Sequence, residues 1–351
     1  MGSKPWNCQN CGTPVRSRSK YCRDCFQDRV ANASGKTPSL PPYIVEADID
    51  NTNAPDSYYE RAADAFYEAI GRATQRFSQP PPTFYTPHSR SMVMNDVHAP
   101  WCDEERLIEA VILATEVYGC TRLILTGDTV DLYSVSRWAK EREIDLRKEL
   151  SRARVIVEFL ASCFPSVEIV YGNHDGVDGK SGGRMERYLQ DQVSMDIRWL
   201  VKDIWKDILL ADLPNVKLVG VEAPFGSMLR WLYVVGQDAV LAHWQLSSAV
   251  QGANVKKFQE WLREWAPVIS GIPTTPRLVL TGHTHRGTTL EGYDYKLIEN
   301  GNMASWEAQE YMFGPSGKGP RAPGTRGWTL LVQDEYGRTD LQQTRFMRCD
   351  K

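Results

Sequence analysis

The stretch that decides the fold reads Val167-Glu168-Ile169-Val170-Tyr171-Gly172-Asn173-His174-Asp175. Its first half is a short apolar run, typical of a buried β-strand, which stops abruptly on a Gly-Asn-His-Asp turn. A strand that ends in this way delivers an amide oxygen, an imidazole and a carboxylate to one place. Two earlier apolar runs follow the same pattern and end at Asp96-Val97-His98 and at Gly127-Asp128.

Helical patterns separate these three strands. Asp103 is a favourable N-cap for a first helix, whose apolar positions recur near a 3.6-residue spacing at Leu107, Ile108, Val111, Ile112, Ala114 and Val117. A longer helix is predicted over residues 144–164. The element order is therefore β-α-β-α-β, and open α/β sheets place their sites at the carboxyl ends of the strands. The sequence predicts an α/β fold with a polar site at one sheet edge.

The second half of the chain adds two more strands that end in histidine. His243 follows an apolar run over residues 240–242, and His283 and His285 follow another over residues 277–281. A covering helix is predicted over residues 250–265. Alternating apolar residues over 325–346, with a turn at 336–337, predict a closing hairpin.

Five of the six histidines thus sit at or just past a strand end, and only His88 lies elsewhere. A lone histidine is usually structural or solvated, but five placed alike beside strand-end acids indicate a metal centre. Imidazole and carboxylate ligands suit Mn, Fe, Zn, Ni or Mg. Two such cations sharing a carboxylate are the arrangement used for displacement at phosphorus.

The first thirty residues contain a different metal-binding pattern. Two C-x2-C pairs separated by ten residues fit a closed, tetrahedral structural zinc site, with the ligands Cys8, Cys11, Cys22 and Cys25. An incidental or reactive cysteine cluster is the alternative. Residues 1–36 carry a net charge of about +5 although the whole chain is at −3, which points to a polyanion or to an ordinary solvated surface.

Composition and the positions of proline divide the chain into three segments. We predict a zinc ribbon at 1–30, a Pro-rich linker and helix at 31–90, and one larger domain at 91–346. No apolar run approaches the roughly 18 residues that a membrane span needs. No charged-then-apolar leader opens the chain, so a cytoplasmic, intracellular protein is expected.

The ordered motifs D-x-H, G-D-x-x-D, G-N-H-D, a strand-end His and G-H-x-H resemble the calcineurin-like metallophosphoesterase family. The resemblance implies a four-layer sandwich of two mixed β-sheets flanked by helices, which binds two divalent metal ions. It implies a first metal on Asp96, His98 and His285, and a second on Asn173, His243 and His283. It also implies that Asp128 bridges them, that His174 protonates the leaving oxygen or stabilises charge at phosphorus, and that Asp131 orients His174.

Two departures argue against a protein phosphatase. Those enzymes carry Arg where this chain has Leu132, and Glu where it has Asp175. Residues 131–138 and 184–189 resemble phosphoesterases often found in phage genomes. Within the second segment, Arg184 and Arg187 lie about one helical turn apart and are candidates to clamp a substrate phosphate, although a solvated helix face is an equal alternative.

Three functions follow from these features. The leading one is a phosphodiesterase or nuclease that acts on DNA or RNA, with the basic ribbon contacting the polymer. The second is a phosphoesterase of nucleotides or cyclic nucleotides, with the ribbon docking a protein partner. The third is a metal-bound scaffold without catalysis, which the complete set of expected ligands disfavours.

Overall fold

The computed structural model describes residues 88–136, 145–175, 209–210, 212–220, 231–244, 250–305 and 324–349, with Phe66, Arg184 and two short strands near the N-terminus. Those strands, β1 (Trp6–Asn7) and β2 (Pro14–Val15), pair antiparallel. The predicted linker and helix at 31–90 lie almost entirely outside the described residues. Among the helices that are described, none combines the length and the apolar character that crossing a bilayer requires.

The first sheet has six strands: β3 (Ser89–Met94), β4 (Arg122–Thr126), β5 (Ser166–Val170), β6 (Val216–Val219), β12 (Gly327–Gln333) and β13 (Arg345–Arg348). Their order in the sheet is β13-β12-β3-β4-β5-β6. Strands β3 to β6 run parallel, whereas β12 is antiparallel to β3 and β13 is antiparallel to β12.

The second sheet has five strands: β7 (Leu232–Val235), β8 (Ala239–Ala242), β9 (Leu278–Thr281), β10 (Gly287–Glu291) and β11 (Lys296–Asn300). Their order in the sheet is β10-β11-β9-β8-β7. The central strands β8, β9 and β11 are parallel, and the two outer strands are antiparallel to their neighbours.

Side-chain alternation along the strands builds the layers. On β3, Val93 faces Ile124, Leu241 and Leu280 in a core between the two sheets. Met92 and Met94 point the other way, into a second core with the helices α1 (Glu104–Ile112) and α2 (Leu146–Cys163). A third core lies between the outer face of the second sheet and α3 (Ala253–Trp265). The result is the predicted α/β fold of two mixed sheets with helices on the outside.

The predicted elements are confirmed with small shifts in their bounds. Asp103 caps α1 by accepting a hydrogen bond from Arg106 N at 3.2 Å, and the helix continues into one π-helical turn, Leu113–Val117. The long helix begins at Leu146, capped by Asp145, rather than at 144. The closing hairpin exists as β12 and β13, but its connection extends well beyond the turn at 336–337.

Candidate metal centre

The polar strand ends meet at one edge of the sandwich. Side chains that follow β3, β4 and β5 of the first sheet face side chains that follow β8 and β9 of the second. Within the part of the chain that the structure describes, three groups of His and Asp have ligand atoms within 4.8 Å of one another. The groups are Asp96, His98 and His285; Asp128, His243 and His283; and His98, Asp131 and His174.

The first cluster contains the three residues assigned by resemblance to one metal. His98 Nε2 and His285 Nε2 lie 3.0 Å apart. Asp96 Oδ1 lies 3.8 Å from the former and 3.5 Å from the latter. All three residues are buried, with exposed fractions of 4% or less.

The second cluster is arranged around His243, which is fully buried. His243 Nδ1 lies 3.2 Å from the backbone oxygen of Thr126, to which it can donate a proton. That tautomer leaves Nε2 as a lone-pair donor, and Nε2 lies 2.9 Å from Asn173 Oδ1 and 3.2 Å from Asp128 Oδ2. The His283 ring packs edge-on against His243 with centroids 5.2 Å apart. The structure therefore also brings together the residues assigned to the other metal.

Asp128 stands between the two clusters. Its Oδ2 lies 3.2 Å from His243 Nε2 of the second cluster and 3.9 Å from His98 Nε2 of the first. Its Oδ1 accepts a hydrogen bond from the backbone nitrogen of His174 at 2.7 Å. This carboxylate is placed to be shared between the two clusters.

The Asp131 carboxylate contacts two histidines, His98 and His174. Its Oδ1 accepts from His98 Nδ1 at 2.8 Å and lies 3.0 Å from His174 Nδ1. Its Oδ2 accepts from Arg184 Nη1 at 3.0 Å, and its backbone oxygen accepts from the same nitrogen at 2.9 Å. Arg184 Nη2 lies 2.9 Å from His174 Nε2, which must then accept the hydrogen bond because guanidinium only donates. The bond that His98 Nδ1 donates to Asp131 has the form of a carboxylate–histidine–metal relay.

A sharp turn, and not an extended strand, brings Asp96 and His98 together. Two residues this far apart on an extended strand would share a face by alternation, but β3 ends at Met94 and both residues are left-handed, with φ of 51° and 52°. Their side chains converge because the backbone turns sharply. Three further candidate ligands have positive φ: Asp128, His283 and His285. Left-handed residues other than glycine concentrate at functional sites.

Burial and opposing charge together set the ionisation of the centre. Burial would raise the pKa of the Asp96 carboxyl, but the charge of His285, with the neighbouring His98 and His243 rings, holds it well below its usual range. Burial lowers the pKa of His98, yet the hydrogen bond to Asp131 and the neighbouring Asp96 and Asp128 carboxylates outweigh burial and raise it to about 10. For His243, the Asp128 carboxylate outweighs burial and raises the pKa to about 9.

The pKa values of His174 and of the Asp131 carboxyl are both lowered, for different reasons. Burial, with the nearby Arg184 charge, lowers the pKa of His174 to about 4 despite the attraction of Asp128. Burial would raise the pKa of Asp131, but Arg184 and the hydrogen bonds from both histidines keep it well below its usual range. The His174 ring is therefore neutral beside an ionised carboxylate and a guanidinium.

The donor set fits divalent cations. Asp96 Oδ1 and His285 Nδ1 are buried and have no hydrogen-bond partner within the described part of the chain. The nearest imidazole nitrogens, of His285 and His98, lie 3.5 and 3.8 Å from Asp96 Oδ1, which is too distant for strong hydrogen bonds. Atoms that bind one cation at about 2 Å each need to approach one another only to about 3 Å, without a hydrogen bond between them. Cations bind imidazole as a neutral base, so they would displace the protons that His98 and His243 otherwise carry.

A buried polar framework behind the ligands was not predicted from the sequence. Asn95 Nδ2 donates to Asp96 Oδ2 at 3.0 Å, and Asn300 Nδ2 donates to Asn95 Oδ1 at 2.6 Å. Asp175, fully buried, accepts from Val130 N at 3.0 Å and Gly172 N at 2.8 Å. For Asn95 and Asn300, the signal available in the sequence is an asparagine at the end of an apolar run.

Some candidate site residues lie outside the described residues. They are the four cysteines of the predicted zinc ribbon, Cys8, Cys11, Cys22 and Cys25, and the second candidate phosphate clamp, Arg187. The first candidate clamp, Arg184, contacts the centre through Asp131 and His174.

No protein-family model matches the chain, and no curated protein matches it. Solved structures similar to the chain include the following three. An archaeal phosphodiesterase is 14% identical and aligns over 74% of this chain and 99% of its own, with a TM-score of 0.31. Vacuolar protein sorting 29 from Cryptosporidium parvum is 14% identical over 75% and 98%, with a TM-score of 0.33. A predicted phosphoesterase from Streptococcus pneumoniae is 12% identical over 75% and 99%, with a TM-score of 0.26. Values this low assign neither family nor activity.

Proposed function

We propose that the protein is a phosphoester hydrolase that uses two divalent cations. The observation that carries this proposal is the position of Asp128 between two buried clusters of ligand atoms, next to His174. Cations bound there would polarise a phosphoryl oxygen and lower the pKa of an attacking water. Mn, Fe, Zn, Ni and Mg are the candidate metals, because the ligands are imidazole, carboxylate and amide oxygen.

The chain's own groups would orient the ester and balance its charge. His174 Nε2 accepts a hydrogen bond from Arg184, so it has no proton to give to a leaving oxygen in this arrangement. In this arrangement the neutral His174 ring carries neither of the two roles considered for it. It instead accepts a hydrogen bond from Arg184, whose guanidinium is the charge available to balance that at phosphorus. Arg184, held by Asp131, is the donor placed to contact a phosphoryl oxygen, and guanidinium suits this task because it presents several donors in one plane.

We further propose nucleic acid as the substrate, with a phosphodiester cleaved at the centre. The support is the excess of basic residues near the N-terminus beside a predicted zinc ribbon, a combination suited to a polyanion. If the ribbon instead docks a protein, the substrates would be nucleotides or cyclic nucleotides. The full-length double variant Arg16→Glu, Arg18→Glu distinguishes these cases: it should weaken cleavage of the polymer and leave small substrates unaffected.

The proposal is tested by turnover of the metal-loaded protein. Substrates are single- and double-stranded DNA, RNA, cyclic nucleotides and a chromogenic diester, each with and without chelator. We expect metal-dependent hydrolysis that is lost in His174→Ala and Asp128→Asn. His88→Ala is the matched control, because His88 lies before β3 and outside the three clusters. Hydrolysis that survives both substitutions, or the absence of hydrolysis from all substrates, would contradict the proposal.

A further inference from the structure

Two aromatic side chains stand where the ligand-bearing loops end. Parallel pairing continues past β3 and β4, with His98 N donating to the Asp128 oxygen at 2.9 Å and Asp131 N to the Ala99 oxygen at 2.9 Å. Trp101 and Tyr133 come directly after this extension, and their rings meet edge to face with centroids 5.7 Å apart. Both side chains are half-buried.

The backbone beneath both rings is fixed. Trp101 N donates to the His98 oxygen at 2.6 Å, and the Trp101 oxygen accepts from Ser305 N at 2.7 Å. Tyr133 N donates to Glu149 Oε1 at 2.6 Å, and that glutamate is fully buried. Rings carried on ordered loops lose little conformational entropy when a ligand stacks on them.

The bend at Leu132 separates a buried side chain from a half-exposed one. Leu132 has φ of 54° and is only 3% exposed, so the left-handed turn sends it into the core and leaves the next residue, Tyr133, half-buried. Leu132 lies in the hydrophobic core, where a charged side chain would be destabilising without a partner. An aromatic ring is therefore presented two residues after the carboxylate that holds Arg184.

The direction of the chain carries both residues beyond the strand ends that hold the clusters. Sites in sheets of this type lie beyond the carboxyl ends of the strands. Trp101 lies three residues past His98, and Tyr133 lies two past Asp131. A phosphoester whose phosphate contacts Arg184 and the clusters would extend its organic group toward these two residues.

We infer that Trp101 and Tyr133 form a stacking subsite for a nucleobase next to the scissile phosphate. This inference rests on the proposed function and narrows its substrate class to esters that carry a nucleoside. Every base has a π-face, so stacking on an aromatic ring selects for a base without selecting which one. Specificity for a particular sequence is not expected from this pair alone.

The inference is tested by affinity rather than turnover. The ligands are a phosphorothioate dinucleotide, which resists hydrolysis, and its abasic counterpart of the same charge, each titrated calorimetrically into metal-loaded protein. We expect the wild type to bind the base-bearing ligand about tenfold or more tightly, and Trp101→Leu and Tyr133→Leu to lose most of that preference. The matched aromatic controls are Trp265→Leu, at the exposed end of α3, and Tyr336→Leu, in the exposed turn between β12 and β13.

The abasic ligand also reports on folding, because its affinity should be the same in all variants. A wild type without base preference would overturn the inference, as would variants that weaken both ligands equally. Turnover, measured separately, distinguishes this failure from that of the proposed function. Phosphoester hydrolysis without base preference refutes the subsite alone, whereas base preference without hydrolysis of any ester refutes the proposed function alone.

Discussion

Gly127→Ala offers a direct test of how the second cluster is built. Gly127 has φ of 89°, and a methyl group at this position would collide with the His243 ring at Cβ, Cγ and Nδ1. Gly271→Ala is a matched control. Gly271 has nearly the same φ, 85°, but an added Cβ there meets no atom within 4 Å. The two substitutions share a backbone effect and differ in steric contact.

The shared and differing effects have separate magnitudes. A left-handed non-glycine residue costs about 1–2 kcal/mol of folding free energy in both variants. Overpacking against His243 adds about 1–3 kcal/mol in Gly127→Ala alone. Relief of the collision moves the imidazole away from Asn173 and Asp128, which lie 2.9 and 3.2 Å from its Nε2. Metal affinity at this cluster should then fall by about 10- to 100-fold, the range seen when ligand orientation is disturbed.

Denaturant unfolding of the metal-free proteins measures the stability difference, and calorimetric titration with Mn²⁺ measures the affinity. We expect both alanine variants to be destabilised, Gly127→Ala by more, and only Gly127→Ala to lose Mn²⁺ affinity. An equal loss of affinity in the two variants would show that strain, not contact with His243, perturbs the centre. Wild-type affinity in Gly127→Ala would refute the assignment of His243 as a ligand.

Two further predictions concern buried carboxylates. Asp131→Asn removes the charged acceptor of His98, so calorimetry should show the affinity for one cation falling about 10- to 100-fold; unchanged affinity would contradict the relay. Glu149, whose pKa is raised by burial, contributes stability that is present below its unfolded value of 4.5 and lost as pH rises through the folded value. The melting temperature of wild type minus that of Glu149→Gln should therefore decrease as pH rises from about 4 to 7, and a difference independent of pH would count against this account.

Local patterns in the sequence predicted the scaffold well. Apolar runs located β3 and marked β4 and β5 to within a residue or two, and Asp103 identified the start of α1. Parallel strands joined by helices bring their carboxyl ends to one edge, so ligand types placed after each strand were enough to predict a common site. The predictions succeeded where short-range periodicity and chain direction determine the structure.

Contacts between distant segments could not be predicted in the same way. Asp131 was expected to orient His174, yet it also accepts a hydrogen bond from His98, because two strand-end loops pair beyond their sheet. Glu149 supports the backbone at Tyr133 and Ser134 from a helix that carries no sign of this task in its sequence. Such roles depend on distances of a few ångströms across the fold.

The backbone of the centre shows how the ligands are held. Left-handed conformations cost about 1–3 kcal/mol each and persist only where surrounding structure determines them. Here main-chain hydrogen bonds supply that support, since Asp96 N donates to the Gly127 oxygen at 3.1 Å and His98 N to the Asp128 oxygen at 2.9 Å. These bonds do not involve the ligand atoms, so the scaffold fixes the ligand positions independently of any cation. A cation would then bind a preformed site, and its binding free energy would not be consumed in folding the loops, in contrast to a short ribbon that folds around its zinc.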